Sequence, residues 1–415
     1  MRILGMISGT SHDGVDMAAV DFRVDSANRL IASIDYVDSI PYPAPLRASL
    51  IGALPPAGIG FEQMCKLDTR IGRAFADAAV QALSSFRPSE PVDVICTHGQ
   101  TVYHWVERKK AYGTLQIGQP AWLAEATGLP VISDVRTADV AAGGEGAPLV
   151  PLLDQVLLAS RRESGLRCGA LNLGGISNIT ICKPGADTQA WDIGPANALV
   201  DAVVTDSTHG AHTYDRDGEL ARHGHVDGEL LDLLLHEPYY ALLPPKSSGK
   251  ELFNLGYVKT ALAKLGRFVR LEDLIATLTE LTAVTVADTV NTERLDYMIA
   301  SGGGTHNPVM MDRIRELAPN TTIEPSDAIG IPGDAKEAIA FALIGWAAMH
   351  GLPANVPSCT GASGPRVLGR ITPAPLGARN NRKGGLALVG GFPQITPLAH
   401  WPKSLRFVDA SERAR

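Results

Sequence analysis

Cysteine is scarce and poorly placed for chemistry. The five residues, Cys65, Cys96, Cys168, Cys182 and Cys359, are odd in number and widely spaced, with no CxxC pair. Neither a zinc site nor a disulfide framework is therefore expected. Long apolar runs are missing too. The N-terminal Met1-Arg2-Ile3-Leu4-Gly5-Met6-Ile7 turns polar too soon for a secretory signal peptide. The longest apolar stretch, around Ala338 to Met349, falls short of the ~20 residues that a bilayer span needs. Positive charge is not in excess: 37 Lys plus Arg stand against 44 Asp plus Glu, a formal net charge of −7. That balance disfavours bulk binding to nucleic acid or to an anionic membrane. The expectation is a reduced, cytoplasmic protein without a nucleic-acid or membrane partner.

What is present describes a globular chain with a sizeable core. Hydrophobic residues make up 45% and charged residues 20% of 415 positions, enough for two or three domains. Arg2 to Met6 and Met17 to Phe22 read as strands flanking a small-residue turn. Phe61 to Leu83 places Phe61, Met64, Cys65, Ile71, Phe75, Ala79 and Leu83 on one helical face. A strand at Val92–Cys96, a helix at Ala121–Thr127 and a strand at Pro130–Val135 follow. Alternating strands and helices predict an α/β fold. The Gly-rich stretch 141–148 reads as an inter-domain crossing. Beyond it, Cys168–Leu173, a turn at Gly174–Asn178 and Ile179–Cys182 repeat the design of the N-terminus, which suggests a duplicated unit. A strand at Leu295–Ser301 and helices at Pro308–Leu317 and Ala335–His350 complete the core. From about Gly377 the chain reads as an extended or partly mobile tail.

Three small-residue loops point to a polyphosphate. In Ser8-Gly9-Thr10-Ser11-His12-Asp13-Gly14, small residues let backbone N–H groups approach an anion, and three hydroxyls add donors. Asp13 suits a phosphate-bound magnesium, directly or through water. Gly174-Gly175-Ile176-Ser177-Asn178 can hold a second face of the polyphosphate, and Gly302-Gly303-Gly304, before Asn307 and its helix, can admit a flat adenine. Neither GxxxxGK[ST] nor GxGxxG occurs, so a nucleotide gripped between two duplicated halves is favoured over a P-loop or dinucleotide fold. The loops' separation along the chain predicts a cleft between domains.

The acid candidate is Asp192, in Trp191-Asp192-Ile193-Gly194-Pro195. It reads as a strand-end carboxylate able to accept a proton from an attacking hydroxyl or water. The structural alternative, capping of the helix near Ala198–Thr205, falls better to Asn197. His98, Thr101, Arg136 and Asp139 follow strand ends in the first half and together could line a polar sugar pocket. Asp334 and Glu337 lie in a first helical turn, where acids are favoured in any case.

These segments resemble a known family. GMISGTSHDGVD, THGQT, DVRTADVAAGGEGAPLVP, LNLGGISNIT, DIGPANALVDAVV, PPKSSGKELF, SGGGTHNP, PGDAKEAIAFA and NVPSCTGASGPRVLG, from Met1 to about Pro373, together resemble anhydro-N-acetylmuramic acid kinases. The resemblance implies the sugar kinase, Hsp70 and actin fold: two RNase-H-like domains with ATP in the cleft. The expected boundaries are 1–145, 146–376 and a 377–415 extension. It implies that water opens 1,6-anhydro-N-acetylmuramic acid at C1 while O6 takes the γ-phosphate of ATP, in recycling of cell-wall sugars. Gly9, Thr10, Ser11, His12, Asp13, Gly14, Val15 and Asp16 then form the phosphate segment, Asp192 is the base, and Arg136 and Glu337 face the substrate. ATP and magnesium are the implied cofactors, and a homodimer is suggested by the resemblance alone.

The chain departs from the family pattern at Ile193 and Ala196, where DTGPGN reads DIGPAN, and at His12, which replaces an apolar residue. The competing readings are a levoglucosan kinase of the same family, a simple sugar kinase without hydrolysis, and a non-catalytic ATP-gated clamp.

Overall fold

The computed structural model describes residues 1–85, 91–107, 110–249, 251–376 and 387–409. The chain divides into two units, Met1–Leu157 with Ala335–Arg415, and Leu158–Asp334.

In the first unit the strand β1 (Arg2–Ser8) is buried at every position. Its apolar residues form a continuous run, as expected of a strand covered on both faces. It pairs antiparallel with β2 (Gly14–Val24), which pairs antiparallel with β3 (Leu30–Pro41). On the other side β1 pairs parallel with β4 (Val94–Glu107). A hairpin partner, β5 (Lys110–Ile117), lies antiparallel to β4, and β6 (Val131–Ser133) lies parallel to it. Helix Phe61–Ser85 buries Leu67, Ile71, Phe75, Ala79 and Ala82 against one face of this sheet.

The other face takes helix Lys336–Met349, and Gly5 explains how close it comes. A Cβ on Gly5 would stand 2.0 Å from the Ala338 carbonyl oxygen and 2.5 Å from the Ala342 nitrogen. Any side chain there would force the helix off the sheet.

The second unit is built on the same path. The antiparallel strands β7 (Cys168–Leu173), β8 (Ile176–Cys182) and β9 (Gln189–Pro195) are followed by β10 (Tyr297–Ser301) parallel to β7, and β11 (Thr322–Pro325) parallel to β10. In spatial order, β3-β2-β1-β4-β6 and β9-β8-β7-β10-β11 follow one connection rule with the same strand directions. This is the RNase-H-like order, present twice, as the paired turns in the sequence predict. Helix Leu271–Thr292 covers the second sheet with Ala283, Val286, Ala287 and Val290. Helices Gly228–Leu235 and Leu255–Leu265 form a satellite core with Val200, Val203 and Phe253.

Two expected boundaries differ from the observed ones. The chain leaves the first unit inside helix Pro151–Glu163, between Leu157 and Leu158, and not in the 141–148 loop. Residues from Ala335 onward belong with the N-terminal sheet, so 146–376 is not one domain. The reason is the close packing at Gly5, a contact more than 330 residues apart in the chain.

The chain beyond helix Lys336–Met349 adds two strands to the first sheet. Strand β12 (Arg370–Thr372) extends the first sheet beside β6. After a short hairpin, β13 (Leu388–Val389) with β14 (Phe392–Pro393), strand β15 (Leu405–Phe407) pairs parallel with β3. Trp401 donates its indole N–H to the Pro353 carbonyl at 2.8 Å, with its ring 5.7 Å from that of Trp346. Of the tail expected to be extended or partly mobile from about Gly377 onward, residues 377–386 and 410–415 lie outside the described residues. No helix among the described residues is long and apolar enough to cross a membrane.

Candidate functional site

In the first unit the loop between β1 and β2 is a tight turn closed by His12 N–H donating to the Gly9 carbonyl at 3.3 Å. His12 takes φ +53°, a left-handed conformation that His tolerates better than most residues. Burial holds its imidazole below the ordinary range, opposed by backbone bonds at Thr10 and Thr101. Ser11 Oγ donates to Asp13 Oδ1 at 2.7 Å, and Arg47 Nε donates to the His12 carbonyl at 3.0 Å. Among the described residues nothing stands within 4 Å of where a Cβ on Gly9 would lie. Thr10, Ser11 and Asp13 are exposed.

The rest of the expected segment serves the sheet. Gly14 and Val15 are paired into β3, and Val15 is a core residue. Asp16 belongs electrostatically elsewhere, because its charge helps to push the Glu337 carboxyl upward. A residue not singled out earlier fixes the corner: fully buried Gln100 accepts from Ser8 Oγ at 2.7 Å and donates to the Gly9 carbonyl at 3.3 Å. HGQT gives a local signal for it, but only its hydrogen bonds to Ser8 and Gly9 separate Gln100 from its equally buried neighbours.

The five expected sugar-side residues divide into three groups. Arg136 donates Nε–H to His98 Nε2 at 2.7 Å and Nη1–H to the Gly146 carbonyl at 2.6 Å. His98 is buried and its Nδ1 lies 3.0 Å from the Gly99 carbonyl. The Nδ1–H tautomer satisfies both contacts. Burial and the adjacent guanidinium hold the imidazole well below its ordinary value, so it stays neutral. Burial also lowers the Arg136 guanidinium to about 10, opposed by the charges of Glu337 and Asp139.

Glu337, in the first turn of helix Lys336–Met349, is exposed to solvent although protein atoms crowd it. That crowding pushes its carboxyl up, Arg136 pulls it down, and Asp16 adds to the rise. Its neighbour Lys336 turns inward to a buried ion pair with Asp154 at 2.7 Å.

Asp139 does not join this wall. It is fully buried and accepts from Asn355 Nδ2 and Thr360 Oγ1, both at 2.7 Å, and from Gly146 N–H at 2.8 Å. Its oxygens are committed to Gly146, Asn355 and Thr360, so its role is structural. Thr101 is half-buried, and its Oγ1 accepts from Gln116 Nε2 at 3.1 Å.

In the second unit Gly174 and Gly175 form the turn between β7 and β8. Their carbonyls accept from Asn197, Ala196 and Ala198 N–H groups at 2.9–3.0 Å, which ties the turn to the start of helix Asn197–Ser207. Ala196, and not Asn197, occupies the cap position, at φ −113°. Asn197 instead donates from Nδ2 to the Leu173 carbonyl at 3.3 Å. Ser177 is fully buried and its Oγ donates to the Gly194 carbonyl at 3.0 Å. It locks the strands and offers no hydroxyl to a phosphate, while Asn178 stays half-buried.

Gly302 and Gly304 press against Leu173, whereas Gly303 is exposed with no atom of the described residues within 4 Å of a Cβ position. Asn307 accepts from Met310 N–H at 3.2 Å as the cap of helix Pro308–Leu317, so it too is structural.

Asp192 sits inside β9, not at its end as expected. Asn178 pairs with Asp192 while Ser177 pairs with Gly194, so Ile193 is an extra residue that bulges the strand. Such a bulge re-aims the side chain beside it, and Ile193 itself drops into the core. Asp192 Oδ2 accepts from Ser247 Oγ and from Ser248 N–H, both at 2.9 Å. Burial pushes its carboxyl above the ordinary value and the nearby Glu251 adds to this, while the two donors oppose the rise. A half-buried carboxylate with a raised proton affinity and one oxygen already fixed is suited to general-base work.

A family model described as anhydro-N-acetylmuramic acid kinase matches residues 1–374. The "Anhydro-N-acetylmuramic acid kinase" of Streptomyces coelicolor is 48% identical over 373 residues, covering 90% of this chain and 94% of that one. The protein of the same name from Rhodococcus erythropolis is 44% identical over 413 residues, covering 98% and 99%. Among solved structures, a ROK family glucokinase from Streptomyces griseus in complex with glucose and AMPPNP aligns with a TM-score of 0.33 and 14% identity, over 82% of this chain and 98% of that one.

Proposed function

The chain belongs to the anhydro-N-acetylmuramic acid kinase family, and from that premise we propose that it uses ATP and magnesium to open 1,6-anhydro-N-acetylmuramic acid with water and phosphorylate O6. The products are N-acetylmuramic acid 6-phosphate and ADP, which places the enzyme in recycling of cell-wall sugars. The observation that carries this reading is Asp192: a bulged strand aims it, two donors fix Oδ2, and Oδ1 has no hydrogen-bond donor among the described residues.

In this reading Asp192 takes a proton from water as that water attacks C1. Departure of O6 from C1 leaves an oxocarbenium-like centre, which water meets from the opposite face. The released O6 is itself the phosphoryl acceptor, so no separate acid need protonate it. Arg136 and Glu337 bind the sugar's polar groups, and His98 holds the guanidinium in place from beneath.

The chain's residues fit the nucleotide and its ion. ATP supplies the transferable phosphoryl group and magnesium the neutralising charge. The open backbone at Gly9 and the exposed hydroxyls of Thr10 and Ser11 suit phosphate oxygens, and the bare face of Gly303 suits a flat base. No cluster of three His, Cys, Asp or Glu able to hold a metal occurs among the described residues. A single carboxylate, Asp13, is consistent with magnesium, which keeps several waters and binds largely through phosphate.

A substrate panel tests the reading. ADP formation should be strong with 1,6-anhydro-N-acetylmuramic acid and weak with levoglucosan, and the sugar product should carry its phosphate at O6. Preference for levoglucosan would overturn the substrate assignment.

A further inference from the structure

The segment Pro244-Pro245-Lys246-Ser247-Ser248-Gly249, which supplies the two donors to Oδ2, is bound to Asp192 at three points. Lys246 accepts the Asp192 N–H through its carbonyl at 3.1 Å. Ser247 Oγ and Ser248 N–H both donate to Oδ2. The opposite side of the same residue is held by Tyr239, whose hydroxyl donates to the Asp192 carbonyl at 2.7 Å.

The two clamps are joined. Lys246 Nζ donates to the carbonyls of Tyr239 and Tyr240 at 3.3 and 3.2 Å and stands 4.8 Å from the Tyr239 ring centroid. The backbone N–H, the backbone C=O and one carboxylate oxygen of Asp192 are thus all fixed by a segment about 50 residues away.

We propose that Ser247 is a positioning residue for the hydrolytic step: with Ser248 N–H it saturates Oδ2 and thereby selects Oδ1 as the oxygen that takes the proton from water. This rests on the assignment of Asp192 as the base. A carboxylate free to rotate about its terminal bond would present either oxygen in many orientations. Two donors on one oxygen remove that freedom and hold the other toward a reacting atom. The clamp also sets the working pH. Hydrogen bonds to the charged form favour it, so the two donors offset the rise that burial and Glu251 impose. Among the described residues Tyr239, whose hydroxyl is committed to the Asp192 carbonyl, Tyr240, whose ring lies against Gly194, and Lys246, whose ammonium feels the charge of Asp288, also face this region.

Ser247 is exposed, so its hydroxyl can be removed without opening a cavity. Three variants, Ser247→Ala, Ser247→Thr and Asp192→Asn, are compared with the parent enzyme for kcat and KM across pH, using 1,6-anhydro-N-acetylmuramic acid and ATP. Loss of one hydrogen bond to a charged group should lower kcat for Ser247→Ala by about tenfold, with the KM for ATP unchanged. Its acid limb should move up by about one pH unit, because the carboxylate loses a donor. Ser247→Thr, which keeps the hydroxyl, should restore both.

An unchanged acid limb and kcat in Ser247→Ala, with Asp192→Asn inactive, would overturn the positioning role and leave the base assignment standing. So would a rate loss equal at every pH that threonine does not rescue. Full activity in Asp192→Asn would remove the base assignment beneath it.

Discussion

Arg136 donates to an imidazole: its Nε–H meets His98 Nε2 at 2.7 Å, a contact that only an uncharged histidine can make. Protonation of His98 would place two cations face to face in a buried position. The folded state therefore binds this proton far more weakly than the unfolded chain, whose histidine titrates near its ordinary value. With the folded value depressed, the stability contribution is full above pH ~6.5 and is lost as pH falls below it.

The first prediction follows. Lowering pH from 7 to 5 should cost the parent protein about 1–2 kcal/mol more than it costs His98→Gln, which keeps an acceptor but does not titrate. Thermal denaturation across that range reads the difference. The slope should shrink without vanishing, because His12, His104 and His350 are also held below their ordinary values. Parallel pH profiles for the two proteins would contradict the neutral tautomer.

Glu337→Gln removes the carboxylate that partly balances the Arg136 charge. With Glu337 on the substrate side, kcat/KM for the sugar should fall about 10- to 100-fold, the range expected for one charged hydrogen bond. Nucleotide affinity, read by equilibrium titration, should stay within about twofold. An equal loss for sugar and nucleotide would argue against a sugar-side role.

The triple glycine offers an internal control. Gly302 has φ +86° and a Cβ there would lie 2.6 Å from Asn172 Oδ1 and 2.9 Å from the Leu173 backbone. Gly302→Ala should cost about 2–4 kcal/mol in unfolding experiments. Gly303→Ala meets nothing and should change stability by less than about 0.5 kcal/mol. Gly303→Leu should keep the melting temperature yet weaken ATP binding about tenfold by occupying the face proposed for the base. Unchanged ATP affinity in Gly303→Leu would displace the nucleotide from this loop.

Much of this was legible in sequence because it is local. Strand β1, the turn at Gly174–Asn178 and the strand before Gly302 announce themselves within a few residues through apolar runs that break at glycine. The repeated connection pattern is visible for the same reason. What could not be read depends on contacts between distant segments. Nothing near Ala335 says that its helix lies on Gly5, so the domain boundary there is not legible locally. Asp139 looks like Asp192 in sequence: each is an acid flanked by apolar residues close to a glycine. Burial separates them, since Asn355 and Thr360 fill one oxygen of Asp139 from more than 200 residues away. Residue type points Ser177 and Asn307 toward a ligand, but the backbone needs their polar atoms. The clamp on Asp192 had no periodic or compositional signature, only a 55-residue separation that the fold closes.

The central claim is that Asp192 makes water the nucleophile at C1. The direct test is turnover in oxygen-18 water, with product mass and label position read after correction for exchange at the anomeric centre. One labelled oxygen should appear at C1 per phosphate transferred. Asp192→Asn should lower the rate by about 10²–10⁴-fold, the contribution of a general base, while ATP still binds. An unlabelled C1, or turnover near the parent rate in Asp192→Asn, would contradict the account.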